Sequence, residues 1–159
     1  MTDFEADDLY RQLKAAHEAD HVCLAVELSR VLLKGFDWDM VSLLHGQSLY
    51  SLGRYAEAEV SLLNALRTAK KEHHAIVLAH LGHLERQRGN FAFAEEWYRR
   101  AIDLAPSEAG YRIFLGALLA SKGNFEHAEM CHRQATQCPN GCIDEAHCNV
   151  CGNLVWRES

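Results

Sequence analysis

Apolar residues follow a helical rhythm through nearly the whole chain. Leu9, Leu13 and Ala16 recur at helical spacing behind Thr2-x-x-Glu5, which has the capping-box pattern. Leu24, Leu28, Val31 and Leu32 then form an apolar stripe that predicts a helix over 22–33. From about residue 39 the rhythm becomes stricter. Gly46, Gly82 and Gly116 stand 36 and 34 residues apart, and each is followed by a second glycine seven positions on: Gly53, Gly89 and Gly123. Behind each second glycine come an aromatic (Tyr55, Phe91, Phe125), an alanine (Ala58, Ala94, Ala128) and another alanine (Ala65, Ala101, Ala135) at the same two intervals. A period of this length is the signature of a stacked repeat. Seven helices and no strand are expected, in a single domain.

The columns have a physical reading. The stretch from Gly46 to Leu52 ends one helix and Tyr55 to Ala69 makes the next, so the second glycine takes the turn, where a positive φ costs little without a Cβ. The first glycine lies inside a helix, where it costs about 1 kcal/mol against alanine. Close approach of the partner helix compensates, with Ala58, Ala94 and Ala128 as the small residues that meet it. The aromatics are expected to fill the space between neighbouring hairpins. Arg88, beside a turn glycine, is expected on the surface.

These residues resemble the tetratricopeptide repeat, a helix–turn–helix unit of about 34 residues. The closest match is Leu78-x2-Leu81-Gly82, then Ala94-x3-Tyr98, then Pro106. The first repeat gives Ser42-x2-His45-Gly46-x2-Leu49 and Ala58-x3-Leu62, with Lys70 in place of the proline. The third gives Arg112-x2-Leu115-Gly116-x2-Leu119 and Ala128-x3-His132, with Pro139 one position early. The first and third repeats lack the large residue that usually opens the motif, and His45 replaces a leucine. The resemblance implies an all-α fold, a right-handed superhelical stack of helix–turn–helix repeats. The repeats are expected at 39–74, 75–108 and 109–144, after a degenerate leading hairpin or cap at 1–38.

The same spacing reaches Gly152, where Cys148-x2-Cys151-Gly152-x2-Val155 fits the first helix of a fourth unit. Residues 145–159 are therefore expected either to cap the stack or to belong to a longer protein, the second being preferred. If the partner helix is missing, Val150, Leu154, Val155 and Trp156 leave an apolar surface open to self-association.

Composition narrows the classes. The 159 residues carry a formal net charge of −6, with basic residues scattered, which argues against nucleic acid as a partner. No apolar run approaches the ~18 residues of a membrane span. The acidic start MTDFEADD does not read as a secretory signal, so a cytoplasmic location is expected. Six cysteines are present, and five fall between Cys131 and Cys151. Cys138, Cys142, Cys148 and Cys151 could form a structural zinc shell. Their spacing is short for such a site, and the repeat register puts Cys148 and Cys151 at buried columns where a thiol acts as a small apolar residue. No metal or other cofactor is expected. His80 and His83 share a helix face, but no HExxH, nucleophile-elbow or nucleotide-binding glycine pattern occurs, so the chain is not expected to be an enzyme.

In the resembling family the first helix of each hairpin lines a concave groove that holds a peptide. By register the lining here draws on Leu43, Gln47 and Tyr50, then His80, His83, Arg86 and Gln87, then Ile113, Ala117 and Ser121. Some relatives grip a peptide carboxylate with a lysine/asparagine/arginine clamp. The corresponding columns hold Leu43, Gln47, His80, Gly110 and Phe114, so that clamp is absent. The reading is a protein-binding scaffold whose groove gains positive charge below about pH 6.5 as His80 and His83 protonate. A C-terminal zinc module and a self-assembly element are the alternatives.

Overall fold

A computed structural model describes residues 3–35 and 39–137. Over these residues the chain forms eight α-helices and one 3-10 turn: α1 (Asp3–Glu18), α2 (Val22–Leu33), α3 (Asp39–Ser51), α4 (Tyr55–Thr68), the turn Lys71–His73, α5 (His74–Gln87), α6 (Phe91–Leu104), α7 (Ala109–Ser121) and α8 (Phe125–Thr136). No strand occurs among the described residues. The described residues alone thus hold one helix more than the seven expected, two in the leading hairpin and two in each repeat. Thr2 and residues 138–159 lie outside the described residues, and with them the capping box, the four clustered cysteines and the fourth-unit helix. The chain divides into two compact units, Met1–Trp97 and Tyr98–Ser159.

The turn column behaves as its chemistry requires. Gly53, Gly89 and Gly123 take φ of 73°, 81° and 78°. Each closes the preceding helix with the same pair of bonds, seen at the first as Gly53 N–H to Tyr50 O and Arg54 N–H to Leu49 O, both 2.9 Å. The leading hairpin repeats this geometry with no glycine. Asp20 sits at φ 55°, with His21 N–H bonded to Ala16 O at 2.8 Å. Asp20 stands 33 residues before Gly53 and is the first copy of the turn column.

Extending the register from Asp20 explains the leading hairpin's missing motif. Its alanine columns hold Ala25 and Leu32, both fully buried. Its helix-glycine column holds Leu13. The column four residues beyond the first alanine, filled by Leu62, Tyr98 and His132 in the repeats, holds Ser29. Bulk has moved from the second helix to the first, and both Leu13 and Ser29 are buried.

In the repeats the helix glycines make the close approach. A Cβ on Gly46 would lie 2.8 Å from Leu62 Cγ and 3.3 Å from the Ala58 carbonyl oxygen. One on Gly116 would lie 2.8 Å from His132 Nε2 and 3.2 Å from the Ala128 carbonyl oxygen. The alanine column is therefore small because its backbone meets the facing helix, and the residue four positions on fills the space over the glycine. Ala58, Ala94 and Ala128 are all buried. The aromatic column is less uniform than expected. Tyr55 packs on Tyr50 at 5.7 Å and joins a core of Val26, Leu49, Ala58 and Leu84. Phe91 and Phe125 are instead 40% and 63% exposed.

Polar side chains tie consecutive hairpins together in the first unit. Ser29 Oγ bonds the carbonyls of Ala25 and Val26 and lies 2.7 Å from His45 Nδ1. His45 thus replaces the motif leucine because it joins α3 to α2. Within the α3–α4 hairpin itself, Asn64 donates to Ser42 Oγ at 3.2 Å. Arg88 is not a bystander on the surface. It bridges Glu59 on α4 at 2.8 Å and Glu85 on α5 at 3.0 Å, and Asn90 donates to the other Glu85 oxygen at 2.7 Å. The Glu85 carboxylate is buried, so it depends on these partners.

Three substitutions separate these effects in urea titrations. Gly46→Ala forces a methyl against a Leu62 that is 1% exposed, and the overlap outweighs the gain in helix propensity, leaving a net loss of about 1 kcal/mol. Asp20→Gly relieves a positive φ and raises stability by about 0.5 kcal/mol. Arg88→Leu strands the Glu85 and Glu59 carboxylates and costs about 2 kcal/mol. A neutral Gly46→Ala would show that helix packing is not limited at the glycine column.

Candidate functional site

The candidate residues of the first unit lie on the first helices of their hairpins. Gln47 and Tyr50 project from α3, and His80, His83, Arg86 and Gln87 from α5. Second helices bury their alanine columns against these elements, so the first helices keep another face for contact. Leu43 does not belong to that face. It is 1% exposed and part of the packed interior. Tyr50 is half-buried against Tyr55, and Gln87 is exposed.

The structure brings Gln47 and His80 together. The Gln47 amide nitrogen bonds His80 Nε2, joining the first helices of two consecutive repeats. His80 and His83 stack with ring centroids 5.7 Å apart. Gln47 Oε1 and Ser48 Oγ are buried with no hydrogen-bond partner among the described residues. Gln47, His80, His83 and Arg86 thus stand in one run of neighbouring side chains, while Tyr50 packs on Tyr55. Ile113 and Ala117 occupy the same face of α7 in the second unit, where both are half-buried, and Ser121 at its end bonds the Leu118 carbonyl at 2.6 Å.

Electrostatics correct one expectation. Burial pushes the His80 ring down to about 3, with His83 and His17 adding like-charge repulsion. Burial pushes His83 down to about 4, with Arg86 beside it. Both rings are neutral at pH 6.5 and well below it. This fits the Gln47 bond, in which an amide N–H donates to an unprotonated imidazole nitrogen. The groove therefore does not gain charge from these histidines as the pH falls toward 6. His45 is lowered too, by burial first and then by Arg30 and Arg54, against Glu57 and Glu27.

Two residues of this face escaped the sequence reading. Measured from Asp20, Lys14 falls at the Gln47/His83 column and His17 at the Tyr50/Arg86 column. Lys14 is exposed and His17 is half-buried near enough to His80 to repel its charged form. The signal was available by carrying the turn spacing backward past Gly53, once Asp20 is accepted in place of glycine. Among the described residues no three of His, Cys, Asp and Glu converge as a metal shell. None of the described helices is long and apolar enough to cross a membrane.

Comparison with known proteins agrees with the repeat geometry. Residues 39–107 match the family model described as tetratricopeptide repeat, so the resemblance carried by the motif holds over that segment. A stretch of 62 residues is 37% identical to human protein O-mannosyl-transferase TMTC1, covering 39% of this chain and 7% of that protein. Among solved structures, MamA from Desulfovibrio magneticus RS-1 superposes with a TM-score of 0.72 at 22% identity, over 83% of this chain and 74% of that one. PilF of Pseudomonas aeruginosa gives 0.74 at 22% identity, over 83% and 60%. YrrB, described as a tetratricopeptide repeat protein with an unusual peptide-binding site, gives 0.68 at 18% identity, over 84% and 69%. The fold is that of the tetratricopeptide repeat proteins.

The depressed histidines lower stability as the pH falls. An unfolded histidine titrates near 6.5, so below that pH the unfolded chain takes up protons that folded His80 and His83 refuse. Their contribution is complete above pH 6.5 and is lost as the pH falls toward 4, at up to about 1.4 kcal/mol per group per pH unit. Urea midpoints measured from pH 7.5 to 4.5 are expected to fall steeply below 6.5. The slope is expected to be shallower in His80→Gln and in His83→Gln. An unchanged slope in both variants would mean that these rings titrate normally in the fold.

Proposed function

We propose that this chain is a non-enzymatic scaffold that binds an extended segment of a protein partner along the first-helix face of its first unit. The carrying observation is the Gln47–His80 bond, which makes the first helices of consecutive repeats one surface. On that surface Gln47, Tyr50, His80, His83, Arg86 and Gln87 are the proposed contacts, and the register adds Lys14 and His17. Ile113 and Ala117 are proposed as contacts on the equivalent face of the second unit. The peptide-binding site named for YrrB lends the reading support by analogy of fold alone.

The chemistry of the face selects the partner. Charge comes from Arg86 and Lys14, since His80 and His83 are neutral. Tyr50 supplies apolar contact. A segment carrying an acidic residue beside a hydrophobic one suits this combination, with arginine and the aromatic as the stronger anchors. No membrane or nucleic-acid role is proposed, and the location is proposed to be cytoplasmic. The TMTC1 match spans too little of that protein to transfer its activity, and the sequence carries none of the catalytic patterns sought in it.

Arg86→Glu is expected to weaken partner binding by more than about 1 kcal/mol while leaving the circular dichroism spectrum unchanged. Binding is expected to weaken as salt rises. Arg100→Glu, exposed on α6, is the matched control. Titrations of a captured partner decide the matter: loss of binding in the Arg100 variant with none in Arg86→Glu would reject the first-helix face as the binding surface.

A further inference from the structure

The start of α1 carries a side chain that its own fold does not use. Phe4 is 77% exposed, the most exposed of the large apolar side chains among the described residues. Its helix gains little from it, because phenylalanine is a mediocre helix former and a ring left in water buries nothing. The residues around it are acidic. Over Asp3–Tyr10 stand four carboxylates, Asp3, Glu5, Asp7 and Asp8, and no basic residue. Negative charge at a helix N-terminus is favourable by itself, which accounts for the carboxylates but not for the ring among them.

Helical spacing decides what accompanies the ring. Asp7 and Asp8 follow Phe4 by three and four positions, so both stand on its side of α1. Asp7 is exposed. Asp8 accepts from Gln12 at 2.8 Å and pairs with Arg11 at 3.4 Å, within the same helix, and its side chain stays 49% exposed. This side of α1 thus presents a phenylalanine with carboxylates one turn away. That is the combination the first-helix face of the first unit suits, with Tyr50 for the ring and Arg86 and Lys14 for the carboxylate. Neither Arg86 nor Lys14 forms an ion pair among the described residues. Phe4 does not touch that face in its own chain, since α1 holds the ring in solvent.

We propose that the start of α1 in one copy docks on the first-helix face of a second copy, with Phe4 against Tyr50 and Asp7 facing Arg86 and Lys14. The proposal rests on that face being the binding surface and names its occupant as this same chain. Knob and face are different parts of the surface, so the contact is heterologous. It joins copies head to tail and leaves a free knob at one end and a free face at the other. A contact centred on one ring and a few charges is small, and interfaces of that size are transient.

Sedimentation velocity over rising chain concentration reads the assembly. The weight-average mass of the unaltered chain is expected to rise with concentration, and to rise less at high salt. Phe4→Ser and Arg86→Glu are each expected to raise the dissociation constant about ten-fold, with unchanged circular dichroism. Phe93→Ser removes another exposed ring of the first unit and is expected to change nothing. Phe4→Ser keeps an intact face and Arg86→Glu an intact knob. An equimolar mixture of the two is therefore expected to form dimers at a concentration where each alone is monomeric. Association that survives Phe4→Ser overturns the proposal, as does a mixture that forms no dimers. Association lost in Phe4→Ser but kept in Arg86→Glu overturns docking on this face. An unaltered chain that stays monomeric at every concentration, while Arg86→Glu still loses a captured partner, overturns this occupant and leaves the face standing.

Discussion

The structure depends on how closely two helices of one hairpin can approach. At Gly46 the facing helix leaves no room for a methyl group, since Leu62 and the Ala58 carbonyl already occupy the space. Gly116 meets His132 and Ala128 in the same way. That contact fixes the distance and the register between helices, and the turn glycines seven residues later only need to return the chain. The leading hairpin reaches the same end with opposite parts, with Leu13 on the first helix and Ser29 on the second. What is preserved is the summed volume across the contact, as close packing requires.

Repeats that pack by shape alone leave their mutual alignment to small apolar contacts. Here polar side chains add direction. Ser29 holds His45, Gln47 holds His80, and Arg88 holds Glu59 and Glu85. Each joins one hairpin of the first unit to the next, and each occupies a place where the repeat motif would put an apolar or unspecified residue. Partly covered histidines make these links workable, because a neutral imidazole can accept or donate without a buried charge. The same covering keeps His80 and His83 uncharged and leaves the charge of the first-helix face to Arg86 and Lys14.

The second unit departs from the pattern differently. Where the preceding repeat has Leu78 and Trp97, it has Arg112 and Cys131, and both of these line an open surface pocket.

The sequence by itself determined the repeat, its period, the turn positions, and the pairing of glycine with small residues, because each is a local requirement of backbone conformation or helix contact. It also placed Gln47, Tyr50, His80, His83 and Arg86 on the same kind of helix face, since that follows from register. It missed Asp20, Lys14 and His17 because the turn column there carries a residue other than glycine, and a glycine search stops at Gly53. Only the tertiary structure decided that Leu43 is interior, that Arg88 is an ion-pair hub, and that Phe91 and Phe125 keep much of their surface exposed. The charge state of His80 and His83 was likewise beyond the sequence. It is set by desolvation, which depends on how many atoms from other helices surround each ring.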